Sequence, residues 1–301
     1  MLVVAALGGN ALLRRNQPLD ADVQRRNVLQ AVANAVAPMA RRNRLVITHG
    51  NGPQVGLLAL QGAAYKAVAP YPLDVLGAES EGMVGYLIEQ ALTNELPGQD
   101  IATLLTQVEV DPVDPAFVRP TKPIGPVFDS SEVERLAART GWTFMPDGGG
   151  FRRSVPSPEP LRIRATGVIN LLIRNGVIVI CAGGGGIPVV ADSSGALHGV
   201  EAVIDKDLSA AVLAQDIGAD ALLLLTDVSA VWSQWPIAAG HTIDRITPAE
   251  LRGLKLAEGS MGPKAEAACR FVERTGRFAA IGALDEAQAI LNGNAGTIVC
   301  N

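Results

Sequence analysis

The sequence predicts an α/β fold, a three-layer αβα sandwich in which helices cover both faces of a mainly parallel central sheet. Seven apolar runs of strand length recur along the chain, at residues 2–7, 45–48, 101–110, 177–182, 221–226, 278–283 and 297–300. Their apolarity is continuous rather than alternating, which is typical of strands covered on both faces. Helical patterns lie between the runs, and this alternation of strand and helix predicts a doubly wound sheet.

Local signals mark individual helices between these strands. The helix predicted after Asp20 has apolar residues at near-helical spacing, Val28, Val32, Val36 and Met39. Another helix is predicted to begin at residues 247–250, Thr-Pro-Ala-Glu, which combine an N-cap residue, a proline at the first helical position and a capping-box glutamate. These signals place helices where the doubly wound order requires them.

One long segment interrupts the alternation. From about Asp111 to Arg164 the chain is rich in proline, glycine and charge, with only a short helix signal around Ser131–Arg139. An interruption of this length is usually a functional lid or a small inserted subdomain. We therefore expect a small subdomain that protrudes from the main fold.

Composition excludes several classes of protein. The chain has 301 residues and is 48% hydrophobic, enough to bury a large core. It has no apolar stretch long enough to cross a membrane and no basic leader at its start, so we expect a cytoplasmic protein. Its three cysteines lack metal-ligand spacing, and its net charge of −5 argues against a nucleic-acid surface.

Two glycine-bearing turns are the strongest functional signal. Residues 3–13 (VVAALGGNALL) and 46–56 (VITHGNGPQVG) each carry an apolar strand straight into glycines that open a predicted helix. Glycines let the backbone approach a ligand closely, and the free N–H groups at a helix start attract negative charge. Four more glycines, 183–186, follow a third apolar run. The pattern indicates a phosphorylated substrate.

Four motifs in order carry a resemblance to a known family: LGGNAL at 7–12, HGNGPQVG at 49–56, CAGGGGIPV at 181–189 with AVIDKDLSAAVLA at 202–214, and GSMGPKAEAACRFVE at 259–273. The chain resembles the carbamate kinases of the amino-acid kinase superfamily over essentially its whole length. The resemblance implies reversible phosphoryl transfer between ATP and carbamate, with magnesium bound mainly through the nucleotide phosphates, in a homodimer. It also implies one amino-acid kinase domain over 1–301, with a carbamate-binding part at about 1–200, an inserted lid at about 115–164 and a nucleotide-binding part at about 201–301.

The resemblance also implies the site residues. Lys206 would contact the transferred phosphoryl, Asp207 would orient the catalytic lysines, Lys264 would bridge the nucleotide phosphates and the reacting centre, and Lys122 would reach over the carbamoyl phosphate. The phosphoryl and carbamate would be held by Gly8, Gly9, Asn10, Gly50, Asn51 and Gly52. The nucleotide would be contacted by Thr226, Asp227, Val231, Gly259, Ser260 and Met261. We interpret His49, at the end of a buried strand, as a structural residue, and we expect no metal-ligand cluster.

Two departures from the family pattern, one feature shared with the carbamate kinases and two alternatives accompany this interpretation. Gly149 stands where the family commonly has arginine, the segment Ser233–His241 differs from the usual family sequence, and the first strand lacks the lysine that related superfamily members carry. Carbamate kinases share the last of these. One alternative is a sister kinase that phosphorylates a different small acid. The other is a catalytically quiet nucleotide-binding regulatory protein that keeps the fold, which the retained lysines oppose.

Overall fold

The central element is an eight-stranded sheet in the order β15-β17-β16-β12-β1-β2-β9-β3. The computed structural model describes residues 1–9, 17–18, 20–65, 69–233, 240–256 and 261–301. The strands are β1 (Leu2–Leu7), β2 (Arg44–His49), β3 (Ile101–Thr103), β9 (Ile178–Ile180), β12 (Ala221–Thr226), β15 (Arg245–Ile246), β16 (Phe278–Ala283) and β17 (Thr297–Val299). Every neighbouring pair is parallel except β16 and β17. The predicted mainly parallel sheet is confirmed.

Helices cover both faces of this sheet. The helix α1 (Ala21–Ala31) continues through a π-helical turn (Val32–Val36) into Ala37–Ala40. The others are α2 (Gly52–Ala64), α3 (Leu73–Glu95), α4 (Ser130–Thr140), α5 (Thr166–Arg174), α6 (Lys206–Asp216), α7 (Pro248–Gly253), α8 (Met261–Thr275) and α9 (Ala287–Leu291). Alternate residues of β1 enter two separate cores: Val4 and Ala6 pack with α6 and α8, whereas Val3 and Ala5 pack with α1 and α3. The three-layer αβα sandwich is therefore confirmed.

The local helix signals hold in the structure. Asp20 caps α1 by accepting hydrogen bonds from the backbone of Asp22 and Val23. Thr247 and Glu250 form the expected capping box at the start of α7. In the part of the chain that the structure describes, no helix is both long and apolar enough to cross a membrane.

The apolar run 101–110 forms two strands rather than one continuous strand. Its first part is β3, the edge of the central sheet, and its second part is β4 (Gln107–Val110) in a separate four-stranded sheet. That sheet has the order β11-β10-β4-β8, with β8 (Pro160–Ile163), β10 (Ile187–Ala191) and β11 (Leu197–Gly199). The chain leaves the first sheet at Thr106, whose backbone N–H donates to the buried Glu81 carboxyl. A tertiary hydrogen bond therefore ends the strand where the apolar pattern continues.

A second small sheet lies where the sequence predicts an insert. It is antiparallel, in the order β5-β7-β6, with β5 (Lys122–Phe128), β6 (Thr143–Asp147) and β7 (Gly150–Val155), and α4 lies between β5 and β6. The strand β5 packs against α2 with almost no space between the backbones, since a Cβ on Gly56 would lie 1.9 Å from Gly125 Cα. We call residues 122–155 the inserted subdomain.

The departure at Gly149 has a structural reason in this sheet. Gly148 and Gly149 form the turn between β6 and β7, where Asp147 pairs with Gly150. Both glycines have positive φ, 62° and 88°. Such two-residue hairpin turns favour glycine because other L-residues are strained at these angles. An arginine at residue 149 would strain this turn.

Finally, β13 (Val231–Trp232) and β14 (Thr242–Ile243) pair as a short antiparallel ribbon after β12. The segment that differs from the usual family sequence, residues 233–241, falls in this connection. Its residues 234–239 lie outside the described part of the structure.

Candidate active site

A cleft of about 440 Å³ opens at the carboxyl ends of three adjacent strands, β2, β1 and β12. The turns that follow β1 and β2 touch each other there. Gly8 N–H donates to Leu225 O at 2.8 Å, and Gly50 N–H donates to Leu7 O at 3.0 Å. A Cβ on Gly50 would lie only 2.8 Å from Gly9 N, so the close approach of the two turns requires glycine. The two predicted anion-binding turns therefore form one continuous surface.

The third glycine turn supports this surface from one side. Residues Gly183–Gly185 form a 3₁₀ turn, and Gly184 has a φ of +66°. Its backbone lies against the Asn51 side chain, because a Cβ on Gly184 would be 2.1 Å from Asn51 Oδ1. The Asn51 amide in turn donates to Ser80 Oγ at 2.8 Å in the interior. Asn51 is thus fixed between a glycine turn and α3.

Two buried ionisable groups lie beneath the glycine turns. Glu81 accepts hydrogen bonds from Gly183 N at 2.8 Å and from Thr106 N at 3.1 Å, and burial raises its pKa to about 8. Burial lowers the pKa of His49 to about 4, so its imidazole is neutral at physiological pH. Glu81 accepts hydrogen bonds from the backbone, and His49 Nδ1 lies 3.3 Å from Gly50 O. These contacts agree with a structural role for His49.

The main charged feature of the cleft is a carboxylate between two ammonium groups. Lys206 and Asp207 begin α6, and Lys264 lies in the first turn of α8. Lys206 Nζ is 3.0 Å from Asp207 Oδ1, and Lys264 Nζ is 3.0 Å from Asp207 Oδ2. Helices α6 and α8 pack side by side, which brings residues distant in sequence to one carboxylate. We call Lys206, Asp207 and Lys264 the lysine–aspartate cluster.

Burial and the neighbouring charges have opposite effects on the pKa of each group in this cluster. Burial acts to raise the pKa of Asp207, but the two ammonium groups outweigh burial and hold that pKa well below its usual range. Burial lowers the pKa of Lys206 against the attraction of Asp207. For Lys264, the attraction of Asp207 outweighs burial and raises the pKa. Of the two lysines, Lys206 therefore has the positive charge that nearby negative groups compensate less.

Two atoms of the cluster can form more hydrogen bonds than they have in the structure. Lys206 Nζ and Asp207 Oδ1 lie 3.0 Å apart, and among the residues that the structure describes neither atom has a hydrogen bond to a further group. A buried ammonium that makes so few hydrogen bonds is costly unless a ligand supplies more. Since Lys206 lines the cleft, the expected ligand is an anion.

The third lysine of the cleft comes from the inserted subdomain. Lys122 is the first residue of β5, and its ammonium forms an ion pair with Asp205, the N-cap residue of α6. Only five lysines occur in the whole sequence, and three of them line this cleft. The sequence motifs assign no site role to Asp205. Its position next to Lys206 and Asp207 is the one sequence signal that points to it.

The predicted nucleotide residues divide into three groups. Thr226, Asp227 and Met261 line the same cleft, and Thr226 Oγ1 donates to Asp227 at 3.1 Å. Val231 is fully buried, and its backbone N–H donates to Thr297 Oγ1 at 2.8 Å. Gly259 and Ser260 lie outside the described residues, as does Asn10 of the predicted phosphoryl and carbamate set.

The lining also contains residues that the sequence did not suggest. Apolar residues among them are Val203, Ile204, Val228, Trp232 and Leu256, and Arg152 adds a cation from the inserted subdomain. Apolar side chains in strands and turns look the same in sequence whether they face a core or a cleft.

Among the residues that the structure describes, the carboxylates of the cleft do not form a metal centre. Asp205 and Asp207 pair with lysines, and no three His, Cys, Asp or Glu side chains in the described ranges are arranged to hold a metal ion.

The fold is that of the amino acid kinase family, whose model matches residues 1–282. Carbamate kinase of Rhizobium meliloti is 53% identical, with 99% of this chain and 93% of the relative covered, and that of Haemophilus influenzae is 53% identical, with 99% and 96% covered. The structure of carbamate kinase from Giardia lamblia bound to AMP-PNP superposes with a TM-score of 0.89 at 40% identity, with 99% of this chain and 98% of that chain covered. The chain therefore belongs to the carbamate kinases of the amino acid kinase family.

Proposed function

We propose that this protein catalyses reversible phosphoryl transfer between ATP and carbamate, giving ADP and carbamoyl phosphate. The observation that carries the proposal is the lysine–aspartate cluster, which lines one cleft together with the glycine turns after β1 and β2. Phosphoryl transfer needs alignment and positive charge around the migrating group more than covalent help from the protein. N–H groups and ammonium groups lining one cleft supply both.

The residues divide the work by position. The turns of Gly8 and Gly9 and of Gly50, Asn51 and Gly52 hold the carbamate and the migrating phosphoryl group through their backbone N–H groups. A carbamate oxygen attacks the γ-phosphorus while the bond from that phosphorus to the ADP oxygen breaks. Carbamate is already an anion, so no general base has to remove a proton.

The cations act on the charge of the transferred group. Lys206 contacts its equatorial oxygens, and Lys264 bridges it to the nucleotide phosphates. Asp207 orients both lysines, since each ammonium is 3.0 Å from one of its oxygens. Lys122 approaches from the inserted subdomain and covers the carbamoyl phosphate.

The nucleotide site belongs to the C-terminal part of the chain. We place the carbamate and phosphoryl in the part at about 1–200, with the lid at about 115–164, and the nucleotide in the part at about 201–301, near Thr226, Asp227 and Met261. The AMP-PNP bound to the Giardia enzyme, an analogue of ATP, supports ATP as the phosphoryl donor. Mg²⁺ would be held mainly by the nucleotide phosphates and would neutralise part of their charge.

We propose further that the protein works as a cytoplasmic homodimer. The edge strand β3 packs against α3, which carries the exposed Met83 and Tyr86, and Leu105 after β3 is exposed as well. The helix α5, which carries the exposed Val168 and Leu171, packs against the neighbouring strand β9. An apolar surface around an open sheet edge favours a second copy of the chain. Light scattering should give twice the 31.3 kDa of one chain, and Leu105→Glu should shift the mass toward 31.3 kDa. A wild-type mass of one chain would contradict the dimer.

The direct test of activity is ATP formation from ADP and carbamoyl phosphate, measured in a coupled assay with Mg²⁺ and with EDTA. We expect rapid ATP formation that EDTA abolishes, because the nucleotide phosphates lose their counter-cation. If folded protein forms no ATP, acetate, glutamate and aspartate should be tested as acceptors with ATP as the donor. Turnover of one of these acids would support a sister acid kinase, and nucleotide binding without any turnover would support a regulatory protein.

A further inference from the structure

One carboxylate, that of Asp205, joins the inserted subdomain to the helix that carries the lysine–aspartate cluster. Its Oδ1 accepts hydrogen bonds from Asp207 N at 2.9 Å and from Leu208 N at 3.2 Å, which caps α6. Its Oδ2 forms the ion pair with Lys122. Capping uses one oxygen and leaves the other for the lysine, so both contacts exist at once.

This ion pair lies in a partly shielded position. The Lys122 side chain is 29% exposed and that of Asp205 is 11% exposed, whereas the exposed fractions for Arg270 and Glu159 on the surface are 40% and 48%. Attraction between charges increases as water is excluded around them. The Lys122–Asp205 pair therefore restrains the lysine more than an ordinary surface pair does.

The backbone of Lys122 is already held in place, but its side chain is long. Lys122 pairs with Val155 in the small sheet, and β5 is packed against α2 through Gly125 and Gly56. A lysine side chain still has considerable rotamer entropy to lose when its ammonium is placed. Without a partner in the cleft, the ammonium would spread over many positions in solvent.

We propose that Asp205 is a positioning residue, which places the Lys122 ammonium beside the lysine–aspartate cluster before substrate binds. The inference rests on the proposed function, because it concerns the lysine that covers the carbamoyl phosphate. Asp205 directly precedes Lys206, so the capped helix sets where the ammonium lies relative to the reacting centre. An arriving phosphoryl group carries more negative charge than Asp205 and draws the ammonium over a short distance, while the helix N–H groups continue to stabilise the carboxylate.

The substitution Asp205→Asn separates the two functions of this side chain. Asparagine caps a helix about as well as aspartate, so α6 keeps its N-terminus, but the charge that holds Lys122 is gone. We expect kcat/KM for carbamoyl phosphate to fall about tenfold, with the KM for ADP unchanged, because contacting groups coupled in this way typically lose such a factor. Asp129→Asn is the matched control, since Asp129 caps the 11-residue α4 in the same way and is exposed. It should keep wild-type activity.

A double-mutant cycle with Lys122→Ala tests whether Asp205 acts through the lysine. If it does, Asp205→Asn has no further effect once Lys122 is absent. A purely structural role of Asp205 would make the two losses multiply. Multiplying losses, or an activity of Asp205→Asn equal to or above wild type, would overturn the inference while leaving the proposed function intact.

A second measurement does not depend on activity. Reductive methylation of Lys122, followed by mass spectrometry in the free protein, reports how accessible its amine is. We expect several-fold faster modification in Asp205→Asn than in wild type or Asp129→Asn. Equal rates in all three proteins would overturn the inference, even if the enzyme proved to act on a different acid.

Discussion

We expect Lys206→Ala to lower the rate of ATP formation from carbamoyl phosphate and ADP by about 100- to 1,000-fold, the usual effect of removing one preorganised donor to the transition state. Lys206 is nine-tenths buried and lines the cleft beside Asp207, so water cannot take the place of its charge. The loss should appear mainly in kcat, because the interaction strengthens as charge develops on the migrating group. Steady-state kinetics in both directions measures it.

Folding has to be checked beside activity in this variant. Asp207 keeps Lys264 as a partner, so removing Lys206 leaves the buried carboxylate paired. The variant Lys206→Met preserves the volume of the side chain and should lose activity equally, with wild-type circular dichroism. Lys255→Ala, at an exposed lysine, is the matched control and should stay active. Near-wild-type turnover in Lys206→Ala would refute the assignment of Lys206 to the phosphoryl group.

The second large effect concerns the contact between α2 and the inserted subdomain. In Gly56→Ala the new Cβ would lie 1.9 Å from Gly125 Cα and 2.3 Å from Gly125 N, both backbone atoms that cannot turn aside. Carbon atoms pack at about 3.5 Å, so α2 and β5 have to separate by roughly 1.5 Å. Overpacking of this kind typically lowers the free energy of unfolding by about 1–3 kcal/mol.

The separation of α2 and β5 should also lower the catalytic rate. Lys122 lies three residues before Gly125 on the same strand, so its ammonium moves with β5. Misplacement of a catalytic group by an ångström can cost about 100-fold in rate, and we expect a fall in kcat/KM approaching that size. Denaturant unfolding and the coupled assay measure the two effects separately.

The control for Gly56→Ala lies on the same helix. At Gly62 a Cβ would meet Pro70 Cβ at 3.6 Å, an ordinary contact. Alanine is preferred to glycine inside a helix by about 1 kcal/mol, so Gly62→Ala should be as stable as wild type or more stable, and fully active. If Gly56→Ala behaved like Gly62→Ala, the insert would not depend on this backbone contact for its position.

The sequence by itself determined the fold class of this protein. The continuous apolar runs of β1, β2, β12 and β16 predict strands buried on both faces, and the structure has them in a mainly parallel sheet. The capping-box signal at Thr247 predicts a helix start correctly because a cap is an interaction within four residues. Apolar runs and helix caps span only a few residues, so they can be recognised without knowing the rest of the structure.

The kinase family was also legible from sequence, because the glycine turns and the DKD and GPK motifs are local as well. Only the tertiary structure decided where these motifs meet. Lys122 and Asp205 are 83 residues apart, and Asp207 and Lys264 are 57 apart, yet both pairs line one cleft. Their meeting depends on the order of the strands and on the packing of α6 against α8.

The same reason explains what the sequence did not anticipate. The apolar run 101–110 divides between two sheets. Near the division, Glu81 on α3 accepts a hydrogen bond from the backbone N–H of Thr106. Val231 lies in the core, although its position in sequence next to Trp232 gave no sign of which of the two would face the cleft. Hydrophobic periodicity, turns and helix caps depend on residues that are close in sequence. Strand pairing and side-chain burial depend on the path of the whole chain.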